Sequence, residues 1–225
     1  MDKAFEWYLK AAETGNTDAF YAIGRLYETV FIKKDVRKAI QYYELASELP
    51  EACYALGRLY EFCDIIQNDN EKALKLYEKA VGIVDAEFAL GLMYENGKGV
   101  DQDYDRALEL YQSAADKGLV KAYAALGSIY SKMEDHESAF NWNRKAAEHG
   151  SEQGIYNLAK MIDSEEGDTK RAFDLYHKLA EGGNAYCQYL IATKYEKGIG
   201  VEQSDALAIK WFTLANKGDY KTPPF

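Results

Sequence analysis

The chain has 225 residues, 48% of them hydrophobic and 28% charged, and 37 acids against 27 bases give it a formal net charge of −10. That sign argues against nucleic acid, whose phosphates need a basic stripe, and no apolar run approaches the roughly 18 residues of a membrane span, so membrane insertion is not expected. Three cysteines without a pattern (Cys53, Cys63, Cys187) fit a reducing compartment, and only three prolines, two of them in the terminal KTPPF, favour helices joined by short links. The opening MDKAFEWYLK has early acids and no long apolar core, so it does not resemble a signal peptide, and a cytoplasmic location is the expectation.

Taken in chain order, the first element is a single helix within residues 2–16, "KAFEWYLKAAETG", stopped at Gly15. Six units follow at about residues 17–50, 51–84, 85–119, 120–151, 152–183 and 184–218, and a tail at 219–225 ends the array. Two interleaved landmarks define the units. A small residue after Leu or Ile recurs at Gly24, Gly57, Gly91, Gly127, Ala159 and Ala192. An alanine recurs at Ala4, Ala39, Ala73, Ala107, Ala139, Ala172 and Ala208. Both series step by 32–36 residues, the signature of a repeat architecture.

Around each landmark the apolar residues fall at helical spacing, as in "DAFYAIGRLYE" and "DYDRALELYQSAADKG". Each unit therefore reads as two antiparallel helices of about a dozen residues, closed by glycines Gly15, Gly118, Gly150, Gly183 and Gly218 as left-handed stops. Neither helix can bury its apolar face alone; stacking of neighbours buries it. "YENGKGVDQDYDRA" and "YEKGIGVEQSDALA" carry the same G-x-G-V joint about a hundred residues apart. A phosphate loop would follow a strand and would not recur, so the glycines read as turns between helices.

The unit at 89–118 carries Leu90-Gly91, Tyr94, Gly97, Gly99-Val100, Asp103, Arg106-Ala107, Tyr111, Ala114-Ala115 and Gly118. On these residues the chain resembles the Sel-one-like repeat family, relatives of the tetratricopeptide repeat, over nearly its whole length. The resemblance implies an all-α fold, a right-handed α-α superhelix of six helix pairs plus one leading helix. It also implies a non-catalytic scaffold or adaptor that binds a protein or peptide on a concave face lined by the first helices. Two units depart from the pattern. Only 12 residues separate Gly127 from Ala139 and 13 separate Ala159 from Ala172, so these have shed the Gly-rich joint. An alternative reading is an interaction or regulatory piece of a larger enzyme or signalling protein.

No constellation of residues points to chemistry. His136, His149 and His177 lie in different units with no His or Cys three or four residues away, so no metal site is expected. No G-x-S-x-G elbow surrounds a serine, and Glu165-Glu166 sit in the polar "DSEEGDTK" before a capping Asp168 or Thr169. The chain is expected to be no enzyme and to hold no cofactor.

The nineteen tyrosines are the compositional feature that stands out. Tyr27, Tyr60, Tyr94 and Tyr130, and separately Tyr8, Tyr43, Tyr77, Tyr111 and Tyr176, read as core positions. Another face at i, i+4 and i+7 of the first helices is the candidate groove: Tyr21, Arg25 and Glu28; Tyr54, Arg58 and Glu61; Phe88 and Leu92; Tyr156 and Lys160; and Tyr189. This face is expected to point away from the core. Phe5 or Trp7 is expected to stand partly bare on the leading helix, favouring weak self-association through the solenoid ends. Charge is uneven, with 8 acids and 7 bases in residues 1–50, 14 and 7 in 51–118, and 15 and 13 in 119–225.

Overall fold

A computed structural model describes residues 3–29, 35–63, 65–80 and 82–218, with the backbone alone at Glu165 and Glu166. The tail Lys221–Phe225 lies outside the described residues. Among these are thirteen α-helices and no strand: α1 (Lys3–Ala12), α2 (Thr17–Thr29), α3 (Val36–Leu45), α4 (Pro50–Phe62), α5 (Asn70–Lys79), α6 (Val84–Asn96), α7 (Tyr104–Asp116), α8 (Val120–Lys132), α9 (His136–Glu148), α10 (Glu152–Met161), α11 (Thr169–Glu181), α12 (Ala185–Lys197) and α13 (Asp205–Ala215). They pack as two compact units, Met1–Lys117 and Gly118–Phe225. In the first, α2/α3, α4/α5 and α6/α7 are the intimate pairs, with α1 on α2. In the second, α8/α9, α10/α11 and α12/α13 pair in the same way, and α9 also packs on α10.

The second helix of each pair starts the same way. Asp35, Asp69, Asp103, Asp135 and Asp168 cap α3, α5, α7, α9 and α11, each carboxylate accepting the backbone N–H three residues on at 2.9–3.1 Å. Ser204 does this for α13. An N-cap of this kind is worth about 1 kcal/mol. The alanine landmark follows one turn later and is buried in every pair, Ala39, Ala73, Ala107, Ala139, Ala172 and Ala208 all being at most 3% exposed.

The small residue of the first helix then meets the second. A Cβ built on Gly24, Gly57 or Gly91 would lie 2.5–2.6 Å from a ring carbon of Tyr43, Tyr77 or Tyr111. These rings are 0–1% exposed. The aromatic side chain thus lies flat on the glycine's backbone, and the absence of a Cβ is what permits the contact.

The two G-x-G joints divide the work between their glycines. Gly97 and Gly198 are left-handed C-caps, φ +65° and +67°. Gly99 and Gly200 are the close-approach residues, where a Cβ would lie 2.6 Å from the backbone of Asn70 and 2.2 Å from that of Thr169. Each joint therefore seats against the start of the preceding unit's second helix. Gln102 and Gln203 close the joints alike, their amides donating to the carbonyls of Glu95 and Glu196 at 2.7 and 3.0 Å.

Two sequence expectations change. Gly218 is not left-handed; it abuts Ala185, whose Cβ would be 2.7 Å from its own. The "DSEEGDTK" stretch is no simple turn, because α10 runs on into a π-helical turn, Ile162–Glu166, ended by Gly167 at φ +67°. Of the two candidates for a bare residue on α1 it is Trp7 that stands out, 68% exposed, while Phe5 is buried at 4% against the edge of Tyr27.

Gly57→Ala is expected to cost about 1–3 kcal/mol or more through overpacking against Tyr77. Gly150→Ala, with nothing within 4 Å of its Cβ but φ +79°, should cost only about 1–2 kcal/mol for the left-handed backbone. Urea midpoints of the two variants check the order.

Candidate functional site

The candidate face begins from the tyrosines that lie on the glycines. In the first unit Tyr43, Tyr77 and Tyr111 each carry the phenol hydroxyl to a first-helix glutamate four residues beyond the glycine. Tyr43 donates to Glu28 at 2.6 Å, Tyr77 to Glu61 at 2.8 Å and Tyr111 to Glu95 at 2.5 Å. Burial, reinforced by the neighbouring carboxylate, pushes all three phenols well above their ordinary 10.0.

This corrects the expected orientation of the face. Glu61 and Glu95 are buried, 7% exposed each, and Glu28 is half-buried. They turn inward because a buried phenol needs an acceptor and the glutamate one helical turn past the glycine is within reach. The first position of the face does not point cleanly outward either. Tyr21, Tyr54 and Phe88 are half-buried, and their rings pack on Tyr43, Tyr77 and Tyr111 at centroid distances of 5.8, 5.9 and 5.4 Å. Tyr156 is buried outright against Tyr176 and Tyr186, its phenol pushed up to about 12 by burial. Tyr189 is half-buried on Phe212.

The middle positions are the ones left at the surface. Arg25 and Arg58 are exposed, each guanidinium 6.0 Å from the ring centroid of the tyrosine four residues earlier, Tyr21 and Tyr54. Leu92 is half-buried on the same register, and Lys160 is exposed. Arg58 also reaches back to the preceding pair, its Nη2 3.9 Å from Glu28 Oε1. Lys98 does the same toward Glu61 at 3.8 Å. In the second unit the corresponding acid, Asp163, is held from the next pair by the buried Lys194, bidentate at 2.8 Å. At Glu28, Glu61 and Asp163 the acid one turn past the small residue is thus a node joining its own pair to the next, a role that sequence spacing alone did not reveal.

Among the described residues no three His, Cys, Asp or Glu side chains are grouped to hold a metal, and no helix is long and apolar enough to cross a membrane. His177 lies 3.6 Å from Glu181 and against the rings of Phe173 and Trp211. His149 Nδ1 donates to the Lys145 carbonyl at 2.8 Å, and the ring packs on Tyr123. Both are structural contacts.

The Sel1 repeat model matches residues 1–16, 18–49, 50–81, 84–119, 120–151, 153–184 and 185–220, almost the entire chain. The chain belongs to the Sel1 repeat family. Sel1 repeat proteins are generally protein-interaction scaffolds, non-catalytic in general, and their fold is the α-solenoid of stacked helix pairs.

Among solved structures, this Sel1 repeat chain is similar to c5321, a protective antigen of uropathogenic Escherichia coli strains with an SLR fold. The TM-score is 0.85 at 27% identity, over 96% of this chain and 49% of that one. It is also similar to a Sel1 repeat protein from Oxalobacter formigenes, with TM-score 0.79 at 28% identity over 94% and 65%. The chain therefore spans about half of the first and just under two thirds of the second. The immunity protein Pa5087 from Pseudomonas aeruginosa shares the fold at TM-score 0.55 and 19% identity. No curated protein matches the sequence.

Tyr77→Phe removes the donor to the buried Glu61 and is expected to cost about 1–3 kcal/mol at neutral pH. Alkali acts in a defined direction. Phenols raised in the folded state stabilise fully below the unfolded value of 10.0, and that contribution is lost as pH climbs above it toward the folded values. The fall is about 1.4 kcal/mol per pH unit for each such tyrosine. Stability of the wild-type chain should drop steeply above about pH 10 with phenol ionisation accompanying unfolding, and Tyr77→Phe should show a shallower drop. Urea melts from about pH 8 to about pH 11, followed by tyrosine absorbance, measure both.

Proposed function

We propose that the chain binds a protein partner on the first-helix face of its first unit, through the tyrosine–arginine pairs of α2 and α4 and the apolar continuation at Phe88 and Leu92 on α6. The observation that carries this reading is the sorting of charge across that face. The first unit is acid-rich, and its three face glutamates, buried or half-buried, are turned to buried tyrosines. Arg25 and Arg58 are left exposed beside half-buried rings. A face that exposes guanidinium next to aromatic surface, on an otherwise acidic body, matches a partner segment carrying carboxylates and apolar side chains.

Arginine and tyrosine are also the side chains over-represented at binding hot spots. The scaffolding role of the family supports the general reading. As a second proposal, the compartment is cytoplasmic, on the free and mostly buried cysteines Cys53 and Cys187 and the half-buried Cys63.

The test uses affinity capture by the intact chain against an Arg25→Glu/Arg58→Glu variant. Exposed ion pairs contribute about 0–1 kcal/mol, but Arg58→Glu also sets a like charge beside the half-buried Glu28, so binding by the variant is read on its folded fraction. The variant is expected to lose the captured partner, or to bind it with slower association and a changed salt dependence. If the variant captures the same partner with unchanged affinity and salt response, the face is wrong. Tyr54→Ala separates packing from recognition: a hot-spot loss of about 2 kcal/mol in binding with a preserved melt supports recognition. An early melt with wild-type affinity in the folded fraction makes Tyr54 a packing residue only.

A further inference from the structure

The fourth pair breaks the repeat's own rule in two places at once. The helix position that lies on the small residue is aromatic in the other five pairs, at Tyr43, Tyr77, Tyr111, Tyr176 and Phe212; here it is Asn143. The acid one turn past the small residue, at Glu28, Glu61, Glu95, Asp163 and Glu196, is here Ser131. Losing the ring removes the phenol that needs an acceptor, and losing the acid removes the acceptor, so the two changes are chemically matched.

Beside them opens a pocket of about 280 Å³ between α8 and α10, lined by Ser128, Ser131, His136, Asn157, Lys160, Met161 and Ser164. Among the described residues no carboxylate lines it, in a chain with ten more acids than bases.

The hydrogen bonds around the pocket leave it donor-rich. Asn143 is fully buried and accepts from Asn157 Nδ2 at 3.1 Å. The Asn157 amide also donates to Ser128 Oγ at 3.2 Å, and Gln153 Nε2 donates to the same oxygen at 3.4 Å. With both lone pairs of Ser128 engaged, what remains of that hydroxyl is its proton. Ser131 and Ser164 return their protons to the carbonyls of Gly127 and Lys160 one turn back, bonds that a charged acceptor can replace by rotation of the hydroxyl. Lys160, exposed and lining the pocket, forms no ion pair with any described residue.

We propose that this pocket is a subsite for one carboxylate, the side chain of an aspartate or glutamate in a protein partner. One ammonium and a hydroxyl proton match a single negative charge, and the second unit, at 15 acids to 13 bases, repels such a group far less than the first. The inference rests on the protein-binding reading above but is tested without a partner, so each can fail alone.

The probe is N-acetyl-glutamate methylamide, titrated into the 15N-labelled whole chain, with the glutamine analogue and inorganic phosphate as comparisons. The expected result is saturable shifts at Ser128, Asn157 and Lys160 in the millimolar range, at least several-fold weaker with glutamine or phosphate. Lys160→Met should weaken the glutamate probe about tenfold. Ser131→Glu, which installs the side chain type that five sister pairs already tolerate, should abolish binding while the melt is kept. Shifts that fail to saturate, equal shifts from glutamine, preference for phosphate, or indifference to both variants would overturn the subsite. If the two variants leave partner capture intact while Arg25→Glu/Arg58→Glu abolishes it, only the subsite is lost.

Discussion

A tyrosine ring laid on a glycine, with its hydroxyl held by a glutamate of the same helix that carries the glycine, is the contact on which each pair in the first unit depends. It fixes three things together. The ring sets how closely the helices approach, since nothing larger than hydrogen fits beneath it at Gly24, Gly57 or Gly91. The hydroxyl fixes the axial register of one helix on the other, because Glu28, Glu61 and Glu95 sit one turn beyond the glycine and bond only at one sliding position. The glutamate's second oxygen then faces the next pair, where Arg58 and Lys98 meet it. Intra-pair packing and pair-to-pair stacking thus share one carboxylate, which is how a repeat with only nearest-neighbour contacts can stay cooperative.

The second unit shows what happens when that contact is altered. Tyr176 is retained, but its acid, Asp163, sits in the π-helical extension of α10 and is held by the buried Lys194. A lysine in that setting needs its partner, because an unpaired buried ammonium is costly. Phe212 dispenses with the hydroxyl, and Glu196 is exposed accordingly. Asn143 dispenses with the ring, and a polar network through Asn157, Ser128 and Gln153 takes its place. In the last two variations the acid follows the phenol: it is exposed where the hydroxyl is gone and absent where the ring is gone.

Much of this was legible in the sequence, because period is a long-range signal that single residues cannot fake. The alanines at Ala39 to Ala208 and the small residues at Gly24 to Ala192 located every pair, and the aspartates before the alanines are the caps that the structure shows. The orientation of the candidate face was not legible. Tyr21, Arg25 and Glu28 share a stripe at i, i+4 and i+7, yet a stripe about a hundred degrees wide holds both surface and core edge. Spacing cannot say that the arginine leans out while the glutamate leans in. The matched absence of Tyr and Glu in the fourth pair was a usable signal: positions that change together across internal repeats are candidates for contact. The π turn was hidden because its only trace is a joint of 13 residues, which the sequence reads equally well as a shortened loop. Gly218 was misassigned for a similar reason, since a glycine can serve close approach as readily as a left-handed stop, and here Ala185 occupies the space a side chain would need.

The same inward turn of the acids decides what the surface offers. A chain of net charge −10 would ordinarily present a repulsive face to an acidic partner over a Debye length of about 8–10 Å. Turning carboxylates toward tyrosine hydroxyls places them beneath the surface, where part of their field is spent on the phenol and on the arginine or lysine of the next pair. The exposed cations of the same helices then set the local sign. Structural demand and surface chemistry are coupled here: each glutamate that registers a helix pair also leaves its first-helix face less negative than composition implies. A repeat that kept its acids outward would be free to vary them, but would lose the register that makes the face a continuous row of matching positions.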